Sequence, residues 1–149
     1  MLEIRELTYQ ELEQSPGFEE TVTEYAAETA NEAIGTPKIQ RSRYRELSSL
    51  GKIQCLGAFE GDKVVGLAVV FFSQSQHYPF PIASIESFYL RKDYRKGGNG
   101  LGLLHAVKHM VKAEGAPGLV FMAPPGSTYA ALCAKLGMTH THNAYWCKV

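Results

Sequence analysis

Apolar positions recur along this chain with two different periods, and the switches between them predict an ordered run of strands and helices. Leu2, Ile4 and Leu7 form a short alternating start. Thr8 with Glu11 three residues later is a capping-box pattern, so a helix follows at once. From Phe18 to Ile34 the positions Phe18, Val22, Tyr25, Ala26, Thr29, Ala30 and Ala33 or Ile34 keep close to a helical stripe, which Gly35-Thr36-Pro37 stops. A second helix is expected over about Ile39 to Leu50, ending at Gly51. Ile53 to Phe59 and Lys63 to Phe72 are β-rich runs joined by Glu60-Gly61-Asp62, which reads as an antiparallel hairpin. Ser73 to Pro81 is polar and interrupted by proline, hence a loop, and Ala83 to Leu90 continues the meander as a third antiparallel strand.

A helix with Leu101, Leu104, Val107, Met110 and Val111 on adjoining faces comes next, and Gly115-Ala116-Pro117-Gly118 ends it. Leu119 to Met122 is a short apolar strand reached by a helical crossover, so it should run parallel to the strand before that helix. Pro124-Pro125-Gly126 separates it from a last helix. The pattern implies a mixed α/β (α+β) fold: a central sheet with an antiparallel meander and flanking helices, without internal repeats or low-complexity segments.

Composition narrows the picture. At 149 residues the chain suits one domain, 1–149, with one core. Lys plus Arg and Asp plus Glu both number 15, so no whole-chain field draws it to nucleic acid or an anionic membrane, and any basic patch is local. Cys55, Cys133 and Cys147 form no close-spaced pair, and this odd count fits a reducing cytoplasm. The start of the chain is too charged for a secretory apolar segment, and no apolar run approaches a bilayer's thickness. A soluble cytoplasmic protein with no membrane partner is the expectation.

The candidate chemistry lies between the third strand of the meander and the helix after it. Gly97, Gly98 and Gly100 let the backbone turn tightly and bring N–H groups against an anion, and the helix points its positive end at the same place. Arg91, Lys92, Arg95 and Lys96 add charge, opposed locally by Asp93 alone, so a diphosphate is a sensible ligand. The dinucleotide fingerprint fails because Leu103 stands where its third glycine belongs, and no Gly-Lys-Ser/Thr follows for a nucleoside-triphosphate loop.

What remains, Arg95-x-x-Gly98-x-Gly100, resembles the coenzyme A pyrophosphate motif of the GNAT superfamily of acyl-CoA-dependent N-acyltransferases. The detailed likeness covers roughly residues 82 to 138, where Gly118 to Ala123, Ser127 to Leu136-Gly137-Met138 and the tail to Val149 look like that family's fifth strand, short helix and final antiparallel pair. The resemblance implies a single-domain GNAT-like fold whose strands four and five splay apart to admit the pantetheine arm. It also implies acetyl-CoA as co-substrate and direct attack by a primary amine in a ternary complex. On that carry-over Phe88, Tyr89 and Leu90 supply pantetheine hydrogen bonds, Arg95, Lys96, Gly97, Gly98, Asn99, Gly100 and Leu101 hold the pyrophosphate, and Gly126 and Ser127 take the place of the coenzyme-contacting Asn usual at the start of the last helix.

An amine arrives mostly protonated at neutral pH, so a base is needed, and Glu86, which alternates with Phe88 on the same strand, is the first candidate. The family's proton donor to the leaving thiolate is a Tyr three residues before its Leu-Gly signature; Cys133 occupies that place, with Tyr129 one turn earlier on the same face. These departures, with Gly126, Ser127 and Met138, keep a non-catalytic acyl-CoA-binding descendant as an alternative. Acceptor contacts are expected from His77 and Tyr78, with Phe80, in the loop before strand four, and from Glu28, which with Glu24 and Glu32 otherwise forms a solvated helix face. His105 and His109 have zinc-ligand spacing without the metalloprotease Glu, and His140 and His142 lack close-spaced cysteines, so no metal is expected. Lys38, Arg41, Arg43 and Arg45 cluster on the second helix, which leaves a charged tRNA as an alternative acceptor, though Glu46 favours an ordinary amphipathic face. A homodimer is an expectation by analogy only.

Overall fold

In the computed structural model, which describes residues 1–149, the strands β1 (Glu3–Leu7), β2 (Ile53–Glu60), β3 (Lys63–Gln74), β4 (Pro81–Leu90) and β5 (Leu119–Val120) form one sheet in chain order. The first four are antiparallel, and β5, reached across the sheet by a helix, lies parallel to β4. Helices α1 (Tyr9–Gln14), α2 (Phe18–Glu28) and α3 (Arg41–Ser49) cover one face, and α4 (Asn99–Ala113) and α5 (Thr128–Lys135) the other. This is the mixed sheet with an antiparallel meander that the apolar pattern implies. No helix is long and apolar enough to cross a membrane.

Both faces of the sheet are buried in the middle, which explains why Val64 to Val70 of β3 reads as a continuous apolar run. Ala68 and Val70 point with Ala83, Ile85 and Phe88 toward Leu103, Leu104, Val107 and Met110 of α4. Val64, Leu67 and Val69 point with Ile53, Cys55 and Phe59 toward Tyr9, Leu12, Phe18 and Val22 of α1 and α2. Thr8 caps α1 as its spacing suggests, with the Glu11 carboxylate accepting from the Thr8 N–H at 2.8 Å and the Thr8 hydroxyl accepting from the Glu11 N–H at 3.2 Å.

Register along β4 breaks once, and the break decides which side chains face which layer. Val69 stands opposite Ser87 and Val70 opposite Ile85, so Glu86 is an extra, unpaired residue: a β-bulge. The bulge puts Ile85 and Phe88, three apart, on the α4 face, and leaves Glu86 and Ser87 together on the other. The expectation that Glu86 shares a face with Phe88 is therefore corrected, because strict alternation does not survive an inserted residue.

Three further expectations change. The stripe from Phe18 does not stay helical to Ile34: α2 stops at Glu28, where the Thr29 hydroxyl turns back to the Tyr25 carbonyl at 2.8 Å and Asn31 Oδ1 accepts from the Ala33 and Ile34 N–H groups. The strand expected to reach Met122 ends at Val120. The final antiparallel pair does not form at all; Thr139 to Val149 is exposed throughout and carries no strand. Its polar run Thr139-His140-Thr141-His142-Asn143 has no apolar face to bury, and adjacent Tyr145 and Trp146 would point to opposite faces of any strand they joined.

Candidate active site

Pairing between β4 and β5 covers Ala83 with Leu119 and Ser84 with Val120, then stops, while β4 runs on from Ile85 to Leu90. The two parallel strands thus open on that side. The Arg91 N–H donates to the Val65 carbonyl at 2.9 Å, so pleating turns the main chain of Tyr89 and Ser87 toward β3 and that of Phe88 and Leu90 into the opening. Of the three residues expected to offer main-chain contacts, Phe88 and Leu90 face the gap. The Leu90 carbonyl already accepts from Arg95 Nε at 2.7 Å.

Beyond β4 and a short 3₁₀ turn (Lys92–Tyr94), the chain turns through Gly97 (φ 60°) and Gly98 (φ 80°) into α4. Only glycine adopts these left-handed angles cheaply, and a Cβ at any of Gly97, Gly98 or Gly100 would meet no protein atom within 4 Å. The turn is open to the outside. Gly98 caps α4 without a side chain, and the N–H groups of Lys96, Gly97, Gly98, Gly100 and Leu101 donate to no other group of the protein. Asn99 holds the turn in shape, its Nδ2 donating to the Tyr94 carbonyl at 3.0 Å. Free amides at the positive end of a 15-residue helix fit a diphosphate.

Arg95 is not free in that turn. Its guanidinium makes a bidentate pair with Glu28 at 2.8 and 2.7 Å and lies 5.1 Å from the centre of the Tyr89 ring. The Tyr89 hydroxyl sits 3.0 Å from Glu24 Oε2 and 2.9 Å from Glu28 Oε2, sharing one proton between them, and Arg91 Nε is 3.7 Å from Glu24. Glu24 and Glu28 thus stay part-exposed, as a solvated face would, but are also paired with β4 and the turn. The hydrogen bond from Arg95 holds the Glu28 carboxyl below its ordinary value, while burial, followed by the two carboxylates, pushes the Tyr89 phenol up.

On the opposite face, α1, α2, α3 and the sheet border a half-open cavity of about 550 Å³, with 12 hydrophobic residues among the 18 that line it. Five aromatic rings line it: Tyr9 stacks on Tyr44 at 5.1 Å, and Phe18, Tyr25 and Phe71 stand among the aliphatic side chains of the wall. The bulge delivers Glu86, which is exposed, and Ser87, which is buried, into this wall. Glu86 is the one carboxylate of the lining. Burial, with Glu86 next in effect, pushes the Tyr44 phenol up to about 12, so it stays protonated beside that carboxylate.

Tyr129 of α5 packs edge-on against Phe88 with ring centres 6.1 Å apart, which sets its phenol beside the β4 opening. Burial pushes that phenol up as well. Cys133, one turn later, is half-buried, and the Ser127 hydroxyl caps α5 by accepting from the Ala130 N–H at 3.1 Å. His77 and Tyr78 lie outside the cavity lining; Tyr78 is exposed and stacks on Phe80 at 5.5 Å. His105 and His109 are exposed on α4, and His140 and His142 lie in the strandless tail. The three arginines of α3 are each paired, Arg41 with Glu19 and Arg43 with Glu46 at 2.8 Å, and Arg45 with Glu13 at 2.6 Å, which is the amphipathic-face arrangement.

Sequence reasoning missed Tyr44, Ser87 and the cavity itself. The Tyr44–Leu47 spacing marks an α3 face turned inward, but nothing local shows that this face meets a bulge 40 residues later.

Comparison with known proteins bears on the family and the fold. The model of the acetyltransferase (GNAT) family matches residues 18–138. Among solved structures, an aminoglycoside acetyltransferase from an uncultured soil metagenomic sample, in complex with sisomicin, superposes with a TM-score of 0.76 at 16% identity, covering 99% of this chain and 96% of that one. A ribosomal-protein-alanine N-acetyltransferase from Brucella melitensis biovar Abortus 2308 gives 0.74 at 14% identity, over 100% and 99% of the two chains. AAC(6')-Iy in complex with the bisubstrate analogue CoA-S-monomethyl-acetylneamine gives 0.72 at 14% identity, over 100% and 98%. No curated protein sequence matches the chain at a significant level.

Proposed function

Given that the chain belongs to the acetyltransferase (GNAT) family, a family of acyltransferases, we propose that it transfers an acetyl group from acetyl-CoA to a primary amine by direct attack. The single observation that carries this reading is the arrangement around β4. A strand opening and five unused amides lie toward one end and one side, and a half-open cavity with one carboxylate lies on the other. The two co-substrates would meet across the bulge.

In this reading the N–H groups from Lys96 to Leu101 bind the diphosphate, and the main chain of Phe88 and Leu90 pairs with the pantetheine arm as a further strand would. Glu86, directly or through one water, takes the proton that the attacking ammonium must lose. The amine nitrogen then bonds to the thioester carbonyl carbon, and an N–H of the opened β4 donates to the oxygen as charge gathers there. As the carbon–sulfur bond breaks, the Tyr129 phenol, whose raised pKa keeps it protonated at neutral pH, gives its proton to the departing thiolate and regains one from the second proton that the new amide nitrogen sheds. Tyr129 is favoured over Cys133 because its ring touches Phe88, the residue whose main chain faces the gap.

Calorimetric titration with acetyl-CoA, beside desulfo-CoA and ATP, tests the coenzyme half of the reading. Micromolar binding of both CoA compounds and none of ATP is the expected result. Thiol release on adding amines then tests transfer. Failure of the CoA compounds to bind would overturn the assignment of the turn.

A further inference from the structure

We propose that the acceptor is a monoamine carried on an aromatic body, an arylalkylamine in chemical class, and not a polycation. This rests on the acyl-transfer reading above and names the substrate of the same cavity. Two features of the lining point to it, one of shape and one of charge.

The cavity volume, about 550 Å³, falls within the range of small-molecule sites. Its walls combine five rings, Tyr9, Phe18, Tyr25, Tyr44 and Phe71, with aliphatic side chains of α1 to α3 and the sheet. A flat apolar group gains burial against such walls and stacks on the rings, whereas a polyammonium body would bring more positive charge than the lining can neutralise.

The charge count is more selective. Glu86 is the single carboxylate in the wall, and Lys38 and Arg43 are its cations. The other carboxylates of α1 and α2 lie outside the lining and are engaged there: Glu11 at the Thr8 cap, Glu19 on Arg41, Glu20 on Lys63, Glu24 and Glu28 on Tyr89, Arg91 and Arg95, and Glu13 through one oxygen on Arg45, its other oxygen being buried without a partner. One ammonium can therefore be neutralised by Glu86 and held over aromatic faces. A second ammonium on the same molecule would be desolvated with no anion to meet it, and would face Lys38. Aminoglycosides, the acceptors implied by the names of two structural neighbours, carry several ammonium groups; the lining has no counterpart for the extra charges.

The test uses two readouts. Calorimetry with 2-phenylethylamine, spermidine and kanamycin, with and without saturating desulfo-CoA, reads the acceptor class without any chemistry. Thiol release with acetyl-CoA reads transfer. The expected result is that phenylethylamine binds and is acetylated at least ~100-fold more efficiently than either polycation, the penalty of an unpaired buried charge. Phe71→Arg, which puts a cation into the wall, should abolish phenylethylamine binding and spare desulfo-CoA binding, which doubles as the check that the variant folds. Equal or tighter binding of spermidine or kanamycin, or no binding of phenylethylamine, would overturn the inference. Phenylethylamine binding without thiol release would instead overturn acyl transfer and leave the cavity's preference standing.

Discussion

On one side of β4 the proposed contacts are main-chain atoms of a nearly continuous stretch, Phe88 to Leu101; on the other they are side chains gathered from α1, α2, α3, β2, β3 and β4 between Tyr9 and Ser87. The first needs only glycines where φ is positive and a helix that begins at the right place. The second changes whenever any of its dispersed side chains changes. Such a division allows a fold to keep one co-substrate and exchange the other, which is how function comes to reside in the site and not in the fold. The two sides also differ in charge: the turn offers Lys96 and open amides with no carboxylate in it, while the cavity wall holds one carboxylate, Glu86, beside Lys38 and Arg43.

Breaking the main-chain side should have the largest effect. Gly98→Glu places a carboxylate at the diphosphate position and a side chain at φ 80°, in open space, so the fold should survive while coenzyme affinity falls at least ~100-fold. Unchanged affinity in calorimetry would remove the pyrophosphate assignment. On the cavity side, Glu86→Gln should lower kcat/KM by roughly 10²–10⁴, the usual contribution of a general base, and leave acetyl-CoA binding intact. Its residual rate should climb with pH as the amine sheds its own proton; a profile of wild-type shape would exclude Glu86 as base.

A smaller effect separates the two candidates on α5. Tyr129→Phe keeps the ring against Phe88 and removes the proton, so kcat should fall by about tenfold or more, whereas Cys133→Ala should change it less than about twofold. The reverse order would move the acid role to Cys133.

The smallest effect links the two sides. Glu28, at the end of the helix that lines the cavity, holds Arg95 away from the turn. Glu28→Gln should cost about 1 kcal/mol or less of stability, as expected for a half-exposed pair, and should tighten coenzyme binding a few-fold if the released Arg95 reaches the diphosphate. The pH dependence has a definite sign. Because the folded carboxyl titrates lower than the unfolded one, the pair stabilises the protein above the ordinary carboxylate range, and that gain is lost as pH falls through the depressed value. Melting curves of wild type and Glu28→Gln should therefore differ near neutral pH and converge as the pH falls below the depressed value.

The candidate site was legible where its parts are neighbours in sequence. The strand, the glycine turn and the start of α4 could be read because φ-permissive residues, a cap and an apolar stripe act over a few residues. The same local logic gave the meander, the crossover and α5. It failed at the end of α2, where the side chains of Thr29 and Asn31 bond the backbone and outweigh a continuing apolar period. It failed again in the tail, where an expected strand pair had no apolar face to bury.

What the sequence by itself determined is thus the order of elements and the main-chain cradle, since both follow from interactions between residues close along the chain. Only the tertiary structure decided the bulge that sends Glu86 into the cavity, the ring-lined wall it enters, and the capture of Arg95 by Glu28. Strand register and ion pairing are settled by competition among partners far apart in the chain, and no local pattern records which of them wins.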